Sequence, residues 1–319
     1  LFLAMFTSIW DDIKRQFSQG NTLTRIIIFN VSFFVFVNLV RFLLIIVDGT
    51  APPPSYEPFI HFFSISSDWV HNLTHPWVFI THMFLHEGFW HILWNMLMLY
   101  WFGRIVWDLL GDRRFLPIYL LGGLAGGLTF FIMANIPTPW GFGGYALGAS
   151  AAVMCTLLVA GMTAPDYIIS LLFLGDVKLK YIVAVLVFLD LVGLSWNNNS
   201  GGSFGHLGGA AMGFAIAYQL QRGNDLTSPL HNLIQRISAF FSQLFSKGGS
   251  RSGPKVAYKN PNLKKQKAGR AARFGSRTAG PADLSHQERL DAILDKIKKS
   301  GYDSLSPSEK EFLFNASKK

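Results

Sequence analysis

The sequence predicts an all-α membrane protein: a bundle of six transmembrane helices followed by a cytoplasmic helical tail. Three observations carry that expectation. Half of the 319 residues are hydrophobic and only 15% are charged, against about 25% charged in ordinary soluble domains. The mean hydropathy is +0.30. The chain also holds 29 Phe and nine Trp, residues suited to lipid and its interfaces. A lone cysteine, Cys155, excludes an internal disulfide and a Cys-based zinc site.

The net charge of +9 describes no single part of the chain. Residues 222–319 hold 19 Lys and Arg against 8 Asp and Glu, a net of +11. The first 221 residues keep nine basic and eleven acidic side chains, a net of −2. A nearly neutral apolar body therefore carries a basic tail. Beside a membrane domain, such a tail suits the anionic lipids of the cytoplasmic leaflet, and nucleic acid is not an expected partner.

Residues 1–24 are expected to form an N-terminal cytoplasmic or interfacial segment. Leu1 to Trp10 is apolar and is followed by Asp11 and Asp12. Without a basic start or a cleavage site, it reads as an interfacial helix and not as a signal peptide. The body, 25–221, follows. A span needs about 20 mainly apolar residues, and the stretches near 25–47, 89–107, 115–134, 146–163, 178–195 and 204–221 qualify. Several carry small residues at helical spacing: Gly122, Gly123, Gly126 and Gly127, then Gly148, Ala151, Ala152 and Cys155, then Gly209 and Gly213. Small side chains let membrane helices approach closely, because lipid supplies no hydrophobic drive for association.

Lys and Arg in the connections set the orientation. Lys14, Arg15, Arg25, Arg104, Arg113, Arg114, Lys178, Lys180 and the tail fall on one side. Residues 48–90, 135–147 and 196–203 contain no Lys or Arg and fall on the other. Both termini are thus expected in the cytoplasm.

Polar groups inside spans are costly and point to function. His91 and Asn95 in the second span, Ser150 in the fourth and His206 in the sixth stand out. All three spans start at the external face, and each residue lies one to two turns inside. At 1.5 Å per residue they share a depth of about 5–10 Å. His91 and Asn95, four apart, lie on one helix face. A hydroxyl and an imidazole at one depth can act as nucleophile and general base. Asn95 and His91, with the Ser150 backbone N–H, can donate hydrogen bonds to a developing oxyanion. Asp190, near the external end of the fifth span, could be a third triad member, but is read in preference as an interfacial residue holding loop residues or water. Arg41 is expected to snorkel outward, and Cys155 to be a buried, inert thiol. The spacing of His61, His71 and His75 in the long external segment does not suggest a metal site.

At these residues the sequence resembles the rhomboid family of intramembrane serine proteases over about residues 75–221. The resemblance rests on the run from His82 through His86 and His91 to Asn95, on Gly148-Ala149-Ser150-Ala151, and on Gly205-His206-Leu207-Gly208-Gly209 with Gly213. It implies a six-helix bundle with a water-filled cavity open to the outside. Ser150 would be the nucleophile and His206 the base, with no acidic third member. His91 and Asn95 would form the oxyanion hole, and His86 would help hold water near it. The reaction would pass through an acyl-enzyme, without metal or cofactor. Substrates would be transmembrane proteins cut near the external end of an easily unwound helix. Two residues depart from the family pattern: Ala151 replaces a glycine, and Met154 replaces an aromatic residue that stacks on the histidine. They keep open an alternative, a catalytically silent relative that binds transmembrane clients.

In the tail, apolar residues recur at helical spacing from Leu230 to Phe245, predicting an amphipathic helix at 222–246 that lies on the membrane surface. Residues 247–284 are basic and rich in small residues, a composition expected to be disordered. Ser285 with Glu288, and Ser306 with Glu309 and Pro307, predict two capped helices within 285–319. This hairpin resembles a C-terminal region of some bacterial rhomboids, which implies a bacterial inner (cell) membrane.

Overall fold

A computed structural model describes residues 11, 14–18, 20–137, 142–171, 175–196, 200–245, 286–300 and 304–316. The interfacial helix expected at 1–10, the basic linker, and the Ser285 cap lie outside the described residues. Two units are separated at residue 248.

The first unit begins with α1, Thr22–Asp48. Asn21 caps it, accepting a hydrogen bond from the Thr24 N–H at 2.9 Å. Gly49 ends it in the left-handed conformation, φ 68°, donating to the Ile45 carbonyl. Its 27 residues extend about 40 Å. Only Leu23, Ile26, Asn30 and Val37 are buried, while Phe29, Val35, Phe36, Phe42, Leu43 and Ile46 are exposed. An apolar helix with an apolar outer face is suited to lipid and not to water.

The segment after α1 is built of short pieces: α2 (Tyr56–His61), β1 (Ile65–Ser66), α3 (Trp69–Thr74), α4 (Val78–Thr81) and a 3₁₀ turn at His82–Phe84. Helix α5 (Phe89–Leu110) and helix α6 (Asp112–Ala134) follow, separated by Gly111 at φ 80°. Strand β2 (Tyr145–Ala146) pairs antiparallel with β1, Ile65 opposite Ala146. Next come α7 (Ser150–Thr163), a hairpin of β3 (Ile168–Leu171) and β4 (Gly175–Lys178), α8 (Leu179–Trp196), α9 (Ser200–Gln221) and α10 (Ser228–Phe245).

Helices α1, α5, α6, α7, α8 and α9 thus lie where the six spans are expected. By length and composition alone, α1 and α6 qualify as crossing a membrane, and α7 is a shorter apolar helix. The all-α expectation needs one correction: two small antiparallel sheets are present. The β3–β4 hairpin lies in the connection whose Lys178 and Lys180 are expected to mark the cytoplasmic side. Its basic residues are paired, with Lys178 and Lys180 at 3.0 and 2.9 Å from Asp166. Arg41 is not free either, since its guanidinium lies over the Tyr56 ring at 5.1 Å.

Glycines set the packing at the centre. A Cβ on Gly209 would lie 2.0 Å from the Ala151 carbonyl oxygen, and one on Gly213 would lie 2.4 Å from that of Cys155. A Cβ on Gly126 would meet the Ala151 methyl at 2.2 Å, and one on Gly122 the Cys155 Cβ at 2.3 Å. Helices α6, α7 and α9 therefore touch backbone to backbone, as small residues permit. Cys155 is fully buried.

At the opposite end, Asp112 accepts hydrogen bonds from the Thr22 N–H and hydroxyl, both at 2.7 Å, tying α1 to α6. Arg114 pairs with Asp225 at 2.8 Å just before α10. Burial opposes ionisation of Asp225, but hydrogen bonds from Thr227 and Arg114 outweigh it and hold the carboxyl down at about 2. Helix α10 exposes Leu233, Ile237, Phe240, Phe241 and Leu244, which fall on one helical face.

In the second unit, α11 (His286–Ser300) and α12 (Pro307–Ala316) bury Ile293 and Leu305. Ser306 and Glu309 form a reciprocal capping box: the Ser306 N–H donates to Glu309 at 2.7 Å and the Glu309 N–H to Ser306 Oγ at 3.4 Å. Lys296 reaches the same carboxylate at 2.8 Å. The Lys296 and Ser306 bonds hold the Glu309 carboxyl down at about 2.

Candidate active site

Ser150 is the first residue of α7, so its backbone N–H is among those with no partner inside the helix. The turn delivering it depends on Gly148, whose φ of +119° is one that L side chains rarely adopt. A Cβ at Gly148 would also lie 2.7 Å from His91 Cε1 and Nε2. The missing side chain thus brings the His91 ring against the backbone two residues before the serine.

Two histidines hold this turn in place. The Gly148 N–H donates to the His82 carbonyl at 2.8 Å. The Ala149 N–H donates to His86 Nε2 at 3.3 Å. Because Nε2 accepts, the proton of His86 resides on Nδ1, which faces the Phe84 carbonyl at 3.3 Å. Asn95 Nδ2 donates to the same Nε2 at 3.3 Å and to the His91 carbonyl at 3.0 Å. His86 is fully buried, and joins the serine turn to α5. Its ring packs edge-on against that of His91, with centroids 5.0 Å apart.

His206 projects from α9. Its Nδ1 lies 2.8 Å from Asp190 Oδ1 on α8. Ser150, His206, His91, Asn95, Met154 and Asp190 all line one cavity of about 800 Å³. Its apolar walls include Trp94, Met98, Leu186 and Leu189. A smaller adjoining cavity also touches Ser150, Ala151 and His206. Among the described residues, Ser150 Oγ and His206 share a cavity without a hydrogen bond between them. Catalytic hydrogen bonds are often long in the absence of substrate and tighten when it binds.

The methyl of Ala151 packs toward Gly126, and so sits at the helix contact. Met154 is nearly buried in the cavity wall. In the external segment, His61 stacks on Tyr145 at 3.5 Å and His71 on His75 at 4.5 Å. Among the described residues no cluster of three His, Cys, Asp or Glu side chains could hold a metal ion.

A Rhomboid domain family model matches residues 73–223, a range containing every one of these cavity residues. Residues 73–223 form a rhomboid-family domain. RHOMBOID-like protein 12, mitochondrial, from Arabidopsis thaliana is 29% identical over 156 residues, covering 45% of this chain and 46% of the relative. The rhomboid chain thus spans about half the length of the curated relative it matches. Residues 284–319 match a family of unknown function, DUF6576. Rhomboid membership suggests an integral membrane protein, in keeping with the outward apolar face of α1.

Asp190 is the site residue whose partner the sequence reading weighed the other way. Read as an interfacial residue holding loop or water, it instead contacts His206. The signal was available: Asp190 lies six residues before the end of α8, and His206 six residues after the start of α9. Both therefore sit about 9 Å from the same end of the bundle.

Proposed function

We propose that this rhomboid is an intramembrane serine endopeptidase that cleaves transmembrane proteins near the external end of their helices. The observation that carries this reading is a serine at a helix N-terminus and a carboxylate-bound histidine lining one cavity. In the proposed reaction, Ser150 Oγ attacks the scissile carbonyl and its proton passes to His206 Nε2. The Ser150 N–H, His91 and Asn95 then donate to the oxyanion, Asn95 turning its amide away from His86. His206 protonates the leaving amine, and water hydrolyses the acyl-enzyme. The substrate helix must unwind at the site, because a hydrogen-bonded helix does not present its carbonyl to the nucleophile.

Topology is part of the proposal. Helices α1, α5, α6, α7, α8 and α9 are six spans, with both termini cytoplasmic and the cavity opening externally. The apolar face of α10 lies on the cytoplasmic leaflet, with the basic residues that follow attracted to anionic lipid. Residues 1–24, 25–221, 222–246, 247–284 and 285–319 serve as separate functional segments. A bacterial inner membrane is the proposed location.

A second reading, a silent relative that binds transmembrane clients, draws on the absent Ser150–His206 hydrogen bond. One experiment separates them. Reconstituted full-length protein is expected to cut a single-span substrate at a bond near its external end, mapped by mass spectrometry, while Ser150→Ala leaves it intact. Equal cleavage by both proteins removes the serine from the chemistry, and client binding without cleavage by either favours the silent reading.

A further inference from the structure

We propose that Asp190 is a positioning residue for His206, fixing the imidazole tautomer that the serine chemistry requires. This inference rests on the Ser150–His206 reading above and adds a third member to it.

The carboxylate oxygen and the ring Nδ1 are 2.8 Å apart, and their side chains are only 20% and 27% exposed. A carboxylate can only accept at this contact, so Nδ1 must carry the proton. The lone pair is then on Nε2, the only ring nitrogen left to accept a proton from Ser150. In the other tautomer, the Nδ1 lone pair would face the carboxylate lone pairs at hydrogen-bond distance, which is repulsive. During the reaction the Ser150 proton moves to Nε2 and later to the leaving amine. The Nδ1 proton stays on the ring throughout, and the carboxylate stabilises the transient imidazolium.

The surroundings give Asp190 little other reason to be there. It interrupts an apolar stretch of α8, from Val183 to Leu189 before it and Leu191 and Val192 after it. An acidic side chain in a membrane helix is costly unless it has a partner. The ionisable groups sharing the cavity with this pair are His91 on α5, Glu87 just before it, and Tyr145 on β2. His91 is close enough to His206 to interact electrostatically with it. A cation at His91 would oppose the imidazolium, which increases the value of a carboxylate on the other side. Residues 189 and 190 also belong to the cavity wall, so Asp190 acts where the substrate lies.

The test uses the full chain in liposomes with wild type, Asp190→Asn, Asp190→Ala, Asp190→Glu and Ser150→Ala. Asp190→Ala is expected to lower kcat roughly 10²-fold, with KM within about twofold. Labelling of Ser150 by a phosphonate should slow in parallel, and Asp190→Glu should recover part of the rate. Nitrogen-15 spectra of the His206 ring are expected to show Nδ1–H in the wild type and a mixture of tautomers in Asp190→Asn. Wild-type kcat in both Asp190→Ala and Asp190→Asn, with Ser150→Ala inactive, would overturn the positioning role while leaving the serine reading intact. So would a loss of turnover that only tracks the loss of folded protein, with the ring tautomer unchanged. Cleavage that persists in Ser150→Ala would remove the underlying reading instead.

Discussion

His206→Ala is expected to lower turnover of a reconstituted transmembrane substrate by as much as about 10⁴-fold, with KM nearly unchanged. His206 is the imidazole that shares both cavities with Ser150, and a serine hydroxyl is a weak nucleophile without a base. His91 also lines the larger cavity, but its ring lies against Gly148 and its carbonyl holds Asn95. It is therefore placed to donate and not to take the serine proton. His91→Ala should accordingly retain more activity than His206→Ala in the same assay. Equal losses in the two variants would mean that the base has been assigned to the wrong ring.

Gly209→Ala is expected to destabilise the bundle by about 3 kcal/mol, the upper end of the usual overpacking range. The added Cβ would lie 2.0 Å from the carbonyl oxygen of Ala151, a backbone atom that cannot rotate away. Helices α7 and α9 would have to separate, and Ala151 is the residue after the serine. Thermal unfolding in detergent and phosphonate labelling should therefore fall together. At Gly205, by contrast, a new Cβ would lie 3.6 Å from the Gly126 carbonyl oxygen, an ordinary contact. Gly205→Ala should be close to neutral. An unchanged Tm in Gly209→Ala would show that this helix contact is looser than described.

The helices and the polar residues of the site could be read from the sequence because both signals are local. An apolar stretch of about 20 residues declares itself, and Ser150, His206, His91 and Asn95 stand out against such a background. Pairings across long gaps could not be read in the same way. Strands β1 and β2 hold two residues each and lie some 80 residues apart, too short for an alternation pattern. The β3–β4 hairpin is only four residues on each side, too short to stand out between two apolar stretches. The hydrogen bonds of His86 run to Ala149, Asn95 and Phe84. That arrangement depends on a buried turn whose path no spacing rule gives. Asp190 is different. Its depth follows from the same counting that grouped the other four, but an acid near the external end of a span also suits loop residues or water, and depth alone does not choose between those partners and His206. A lone acid in an apolar helix should be matched against every histidine at its depth.

The central claim is that Ser150 is a nucleophile activated inside this cavity. The most direct measurement is covalent labelling of the purified full-length protein by a serine-directed phosphonate, with the modified residue mapped by mass spectrometry. Labelling is expected at Ser150 in the wild type, strongly slowed in His206→Ala and absent in Ser150→Ala. Labelling that persists in Ser150→Ala, or that maps to another residue, would contradict the account.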